Sequence, residues 1–207
     1  MAAVFITPTF EDAMSERKGH YMRTFTGRTY WPLDPRPEDV CIEDIAHALA
    51  HQARFNGMTQ KYYSVAEHSV LCSLQNTNAN ICFELLMHDA AEAYTGDLIR
   101  PMKMIPEIRA IWTPIEEMNE AVLAARFGLA FPHDANLKAI IKKVDMEVCQ
   151  AELEQLMHGS EPNSAALMEG EFTAAKITPN CMLPLEAKKW FLERFHLLNG
   201  KRFLNSP

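Results

Sequence analysis

A single ten-residue stretch carries four ionisable side chains at the end of an apolar segment: His88-Asp89-Ala90-Ala91-Glu92-Ala93-Tyr94-Thr95-Gly96-Asp97. On a helix, His88 and Glu92 are four residues apart and Asp89 and Glu92 are three apart, so these side chains share one face. Buried charge is costly unless a metal ion, an opposite charge or a catalytic task accompanies it. This stretch is therefore the first place to look for chemistry.

Two more polar residues interrupt apolar helical stripes. Asp145 stands between Val144 and Val148 at helical spacing, and His68 lies close to the inner face of another predicted helix. An acid on a helix is usually solvated, and a lone core histidine usually bonds to backbone. Glu152 is a rival to Asp145, but we expect it nearer the exposed end of its helix. Two histidines and two aspartates together form a donor set of nitrogen and oxygen ligands for a divalent metal ion: His68, His88, Asp89 and Asp145.

The elements that must position these residues are predicted to be helices. Ser64 and Asp134 are typical N-caps, and Thr113-Pro114 is typical of a helix start. Together with the apolar periodicity, these signals predict helices over about 42–55, 65–74, 80–94, 113–127, 135–157 and from Pro184 onwards. Weak alternation over 24–31, around Gly27, predicts a small β-hairpin. We expect an N-terminal extension (1–22) and one domain (23–207), an all-α helical bundle of about six main helices, with a long loop over 159–182.

The composition restricts the class of protein. The chain has 207 residues, is 48% hydrophobic and 23% charged, and carries a net charge of -7, which favours a soluble globular domain and disfavours nucleic-acid polymers as partners. Apolar runs stay short of the roughly 18 residues of a membrane helix, and a signal-peptide pattern is missing at the start. The five scattered cysteines lack a Cys-x-x-Cys pair and are typical of reduced thiols. These observations predict a cytoplasmic protein without a membrane partner.

The motif as a whole resembles that of the HD-domain metal-dependent phosphohydrolases, most closely the bacterial 5′-deoxynucleotidase branch. The run HDAAEAYTGDLIRPMK (88–103) matches every fixed position of the pattern His-Asp-x-x-Glu-x-x-Thr-Gly-Asp-Leu-x-x-Pro-x-Lys. A histidine in SVAEHSV precedes this run, and an aspartate in KKVDMEV follows it. The resemblance extends from about Thr24 to Phe203. It implies an HD-domain bundle and a homo-oligomer.

The resemblance also implies a role for each matched residue. Glu92 would be the general acid/base, and Asp97 would position the attacking water or a substrate hydroxyl. Arg54 and Lys103 would bind phosphate, and Phe55 replaces the tryptophan that the similar enzymes place beside the sugar and base. The resemblance further implies that one divalent ion (Mn, Co, Fe, Zn, Ni or Mg) is bound by His68, His88, Asp89 and Asp145. His51 lies one turn before Arg54, and from this position we expect it to contact phosphate or to support a metal ligand.

These roles imply a phosphohydrolase that removes phosphate from (deoxy)nucleoside 5′-monophosphates. One alternative is a deoxynucleoside triphosphate triphosphohydrolase, which would need further cations from Arg100, Lys103, Lys142 or Lys143. A second alternative is a nucleotide-binding protein without turnover, against which the acids at 92 and 97 argue. We expect the base pocket in the loops 24–31, 56–63 and 159–182. The replacement of tryptophan by Phe55 leaves discrimination between ribose and deoxyribose open.

Overall fold

The computed structural model describes residues 17–159 and 172–204, with side chains as far as Arg202. Within these ranges, helices account for most of the fold, and six of them have nine residues or more. The helices are α1 (Ile42–His51), α2 (Val65–Ser73), α3 (Ala79–Met87), α4 (Glu92–Thr95), α5 (Arg100–Lys103), α6 (Pro106–Phe127), α7 (Ala135–Leu156) and α8 (Pro184–Leu204), with 3-10 turns at Pro37–Asp39 and Arg54–Gly57.

A two-stranded antiparallel sheet precedes the helices. Strand β1 (Met22–Arg23) pairs with β2 (Thr29–Tyr30), so that Met22 lies opposite Tyr30. The prediction of an all-α bundle with a small hairpin near the N-terminus is therefore confirmed. Most of the predicted extension, 1–16, lies outside the described residues.

Helix α2 is the centre of the bundle, because all nine of its residues are buried. Ser64 caps it by accepting a hydrogen bond from the amide of Glu67, as predicted. The Glu67 carboxylate does not return to the cap. It accepts instead from the amides of Asn180, Cys181 and Met182 and holds the segment before α8 against α2.

Two apolar clusters fix the arrangement of the helices. The larger cluster joins α1, α2, α3 and α8, and it includes the predicted stripe of Phe191, Phe195 and Leu198. The smaller cluster holds α7 against α2 and α3 through Leu71, Leu85 and the valines at 144 and 148. This smaller cluster positions the candidate site, because it packs α7 against α2 and α3.

Helix α6 begins earlier than predicted. Pro106 stands at its first position, and the expected start at Thr113-Pro114 is inside the helix. A proline at the first position loses no helical hydrogen bond. Pro114 is exposed, so its ring meets solvent. Gly128 ends α6 in the left-handed conformation, as expected.

None of the helices in the described ranges is both long enough and apolar enough to cross a membrane.

Candidate active site

Three helices bring the predicted metal ligands to one place. His68 lies in the first half of α2, Asp145 lies midway along α7, and His88 and Asp89 follow α3 directly. Apolar residues on both sides of Asp145 belong to the smaller cluster. The packing of the core therefore fixes which polar side chains meet.

The chain between α3 and α4 is a tightened turn. The amide of Ala90 donates to the carbonyl of Met87 at 3.0 Å. The amide of Glu92 donates to the carbonyl of Asp89, also at 3.0 Å. Bonds to the third residue back wind the chain more tightly than an α-helix. The predicted continuous helix over 80–94 is therefore wrong at the residues that carry the motif.

The polar atoms of the four predicted ligands surround one small volume. Nε2 of His68 lies 3.1 Å from Oδ1 of Asp145 and 3.7 Å from Oδ2 of Asp89. Nε2 of His88 lies 3.2 Å from Oδ2 of Asp89 and 3.9 Å from Oδ1 of Asp145. Two donors about 2.1 Å from one ion are about 3.0 Å apart in octahedral and about 3.4 Å apart in tetrahedral geometry. The observed separations are close to these values.

The His88 ring gives an independent indication that this group suits a metal ion. Its Nδ1 contacts the carbonyl of Leu85 at 2.8 Å. Its Nε2 is buried and makes no hydrogen bond to any described residue. A ring that donates through Nδ1 presents a lone pair at Nε2, which is the form that binds metals. The buried group of His68, Cys72, His88 and Asp145, with donor atoms within 4.8 Å of one another, could bind a metal ion.

Cys72 is a neighbour that the sequence interpretation did not connect with this centre. Its Sγ lies 3.4 Å from Nε2 and 3.9 Å from Nδ1 of His68. Burial raises the pKa of the Cys72 thiol to about 11. The available signal was its position four residues after His68 on α2, which places both on one face.

Glu152 is the residue that sequence reasoning placed wrongly. We expected it near the exposed end of α7, yet it is fully buried. Its Oε1 accepts from the hydroxyl of Tyr63 and contacts Nδ1 of His68, both at 2.6 Å. Its Oε2 accepts from Nε of Arg54 at 3.1 Å. A carboxylate on the rear nitrogen of a ligand histidine fixes the ring and raises its basicity.

Arg54 joins this network because two short segments pair. Its amide donates to the carbonyl of Tyr63 at 2.9 Å, and this pairing ends α1 at His51 instead of near residue 55. Its Nη1 lies 3.8 Å from Oδ2 of Asp89, while its Nε donates to Glu152. The guanidinium thus lies between the metal-ligand group and the carboxylate behind it.

The turn after Arg54 is strained. Phe55, Asn56 and Gly57 have φ values of 52°, 53° and 73°. A bulky side chain in this region costs about 1–3 kcal/mol and persists only where the surrounding structure imposes it. The result is that the Phe55 ring lies 5.3 Å from the Arg54 guanidinium, beside the site.

A cavity of about 530 Å³ opens onto the candidate metal centre, which is within the usual size of a small-molecule site. Apolar side chains supply much of its wall, including Met58, Ile99 and Met157. Seven of the ten predicted site residues line this cleft: Arg54, Phe55, Asp89, Glu92, Asp97, Lys103 and Asp145. His68 and His88 are buried beside it.

The structure does not bring His51 to the cleft. Its side chain is exposed, its Nδ1 contacts the carbonyl of His47 at 2.7 Å, and the two rings stack at 4.0 Å. Of the predicted base-pocket loops, 56–63 contributes Asn56 and Met58. The hairpin instead contacts α1, where Phe25 stacks on His47. Half of the 159–182 loop, 160–171, lies outside the described residues.

Two acids of raised pKa face the cleft. Burial is the main cause of the raised pKa of Glu92, and the carboxylates of Asp89 and Asp97 add to it. Burial also raises the pKa of Asp97. Oε1 of Glu92 lies 3.5 Å from Nζ of Lys103, whereas its Oε2 is buried and makes no hydrogen bond to a described residue. Glu92 therefore retains a proton more readily than an exposed glutamate.

Lys103, the last residue of the motif, contacts two glutamates. Besides its contact with Glu92, its Nζ lies 2.9 Å from Oε1 of Glu116 on α6. Burial works to lower the pKa of Lys103, but the two glutamates raise it above its usual value. Lys103 therefore supplies a permanent positive charge at the cleft.

Sequence comparison identifies relatives along nearly the whole chain. The chain is 32% identical over 184 residues to the uncharacterized protein YfdR of Escherichia coli strain K12, covering 88% of this chain and 97% of the relative. It is 36% identical over 200 residues to the uncharacterized protein RCAP_rcc00048 of Rhodobacter capsulatus, and this match covers 87% of this chain and 96% of the relative. The chain belongs to the family of these two proteins. No family model matches it.

Proposed function

We propose that the protein is a metal-dependent phosphohydrolase of the HD-domain superfamily, acting on (deoxy)nucleoside 5′-monophosphates. The observation that carries the proposal is the meeting of His68, His88, Asp89 and Asp145 around one volume, with Glu92 beside it in the cleft. The resemblance over 88–103 supports it independently. The predicted homo-oligomer stays a prediction from that resemblance.

Within this proposal the ligands are the two histidines and two aspartates. Cys72 is the less suitable fourth donor, because a metal ion binds the thiolate and burial keeps this sulfur as a thiol. Phosphate chemistry also favours the harder oxygen ligand of Asp89. A divalent ion, when bound, supplies an attacking water of lowered pKa and offsets phosphate charge.

Glu92 is the proton donor in the proposed reaction. Its raised pKa makes it hold a proton more readily than an exposed glutamate does, and Oε2, which has no hydrogen-bond partner among the described residues, is the atom to carry that proton. Transfer to the ester oxygen lets the nucleoside leave as an alcohol. Asp97 lines the same cleft and would orient a sugar hydroxyl or the attacking water.

Arg54 and Lys103 bind the phosphate oxygens in this scheme. Glu152 fixes the Arg54 guanidinium, so little conformational freedom is lost when an anion binds. The apolar wall that includes Phe55 and Met157 would receive the sugar and base. The same wall excludes water from the leaving group.

The experiment is phosphate release from a panel of ribo- and deoxyribonucleoside 5′-monophosphates with Mn²⁺, Co²⁺, Zn²⁺ or Mg²⁺, and with EDTA. We expect metal-dependent release by the wild type and a loss of about 100-fold or more in Asp89→Asn. Lys143→Gln, exposed on α7, is the matched control. Absence of release from every nucleotide with every metal would refute the proposal.

A further inference from the structure

A second cavity, of about 430 Å³, adjoins the first cleft at the candidate metal centre. It shares Arg100, Lys103, Asp145 and Met146 with the first cleft, so both reach the same centre. Most of its remaining lining residues belong to α6 and α7. Its function is not accounted for by the reaction proposed above.

Helical spacing explains how cations come to face one another across this cavity. On α6, Arg109, Trp112 and Glu116 follow at intervals of three and four residues. On α7, Lys138 and Lys142 are four apart, and Lys142 precedes the predicted ligand Asp145 by three. The lining contains five lysines and arginines but only two carboxylates, of which one is a predicted metal ligand. This local excess of positive charge stands in a chain of net charge -7.

Several of these donors have no acceptor within the described part of the chain. Arg109 and Lys138 are exposed, and neither forms an ion pair with a described carboxylate. The indole Nε1 of Trp112 is buried without a hydrogen-bond partner, and so is Nε of Arg100. Buried donors are nearly always satisfied in proteins, so such a group indicates a bound molecule or ion. The surrounding positive charges favour an anion as the missing acceptor.

We propose that this second cavity is a subsite for a phosphate group other than the one hydrolysed at the metal centre. Phosphate offers several acceptor oxygens and a double negative charge, which match the indole N–H, two guanidinium groups and a lysine. The identity of this group as part of a substrate rests on the proposed function. Two sources share the chemistry: a second phosphate of the nucleotide, or free inorganic phosphate.

Binding is tested first without turnover. EDTA-dialysed protein is titrated calorimetrically with sodium tripolyphosphate and with inorganic phosphate at low and high salt. We expect binding that weakens with salt, and a loss of about tenfold or more in Arg109→Gln/Lys138→Gln. Trp112→Phe, which keeps the ring and removes the N–H, is expected to weaken binding several-fold. The charge-matched control is Lys176→Gln/Lys189→Gln, since both lysines are exposed and neither lines the cavity.

Kinetics then identify the source of the phosphate. If the nucleotide supplies it, the double variant raises KM for nucleoside diphosphates about tenfold and leaves monophosphate KM within twofold. If free phosphate supplies it, phosphate inhibition of monophosphate hydrolysis weakens about tenfold in the double variant. Tripolyphosphate and phosphate binding that is absent, or that the control variant weakens equally, overturns the subsite. Binding without hydrolysis of any nucleotide would instead refute the proposed function and leave the anion site standing.

Discussion

Replacing Glu152 by glutamine tests the network behind the metal centre with almost no change in shape. Tyr63 and His68 both contact Oε1, so a glutamine carbonyl oxygen there keeps both contacts. The glutamine NH2 then replaces Oε2 and faces the donor Nε of Arg54. One charge-assisted hydrogen bond is lost, which lowers the free energy of unfolding by about 1.5–3 kcal/mol. For a chain of this length, that loss lowers Tm by about 3–12 °C.

The same substitution should weaken metal binding. The neutral amide no longer raises the basicity of the His68 ring, and changes of this kind typically reduce metal affinity about 10–100-fold. Thermal unfolding of EDTA-dialysed protein, followed by circular dichroism, measures the first effect. Calorimetric titration with Mn²⁺ and Zn²⁺ measures the second.

Glu154→Gln is the control, because Glu154 is exposed two residues further along α7 and pairs with Gln150 on the same helix. We expect its Tm to change by less than about 1 °C and its metal affinity by less than about twofold. The reasoning fails if Glu152→Gln retains wild-type Tm and metal affinity, or if the control loses as much of either.

Further substitutions separate the roles of neighbouring groups. In calorimetric titration, Asp89→Asn is expected to weaken Mn²⁺ binding more than about tenfold, whereas Cys72→Ser is expected to change it less than about twofold. A larger loss of affinity in Cys72→Ser than in Asp89→Asn would make Cys72 the ligand. Glu92→Gln should lower kcat about 100-fold or more yet raise Tm. The raised native pKa of Glu92 means that wild-type stability declines as pH rises from the unfolded pKa to the native one, so the gain in Tm should be larger at about pH 8 than at about pH 5. A gain that is the same at both pH values would contradict this. In urea denaturation, the free energy of unfolding of Phe55→Gly should exceed that of Phe55→Ala by about 1 kcal/mol, because only glycine adopts the positive φ freely. This is the reverse of the usual order of the two residues. Both variants should raise KM in steady-state assays.

The sequence predicted the fold well wherever local chemistry decides it. The caps at Ser64 and Asp134, the glycine after α6 and the proline that opens α8 all lie where the pattern placed them. The early start of α6 at Pro106 is a missed local signal, whereas the early end of α1 comes from a tertiary interaction. α1 ends early because residues 52–54 pair with residues 63–65, and no local signal in the helix encodes that pairing.

Prediction of the site shows the same division. The four proposed ligands were singled out because each is an ionisable residue on an apolar stripe or in the motif, and the structure brings their polar atoms together. Glu152 was expected nearer the exposed end of its helix although it follows Asp145 by seven residues, which places both on one face of α7. Its partners, Tyr63 and Arg54, arrive from distant segments. A sequence pattern shows which face a side chain lies on, but it does not show what that face meets.

The three parts of the candidate site differ in how firmly the fold holds them, and this difference fits the task proposed for each. The proposed histidine ligand on α2, His68, is set in a fully buried helix and fixed from behind by Glu152, as a metal centre of constant geometry requires. The proposed acid, Glu92, follows a tightened turn in which burial raises its pKa. Phe55 stands on a strained turn at the rim. Because that turn is not part of the core, substitutions there can change which nucleoside fits the cleft while the metal centre stays intact.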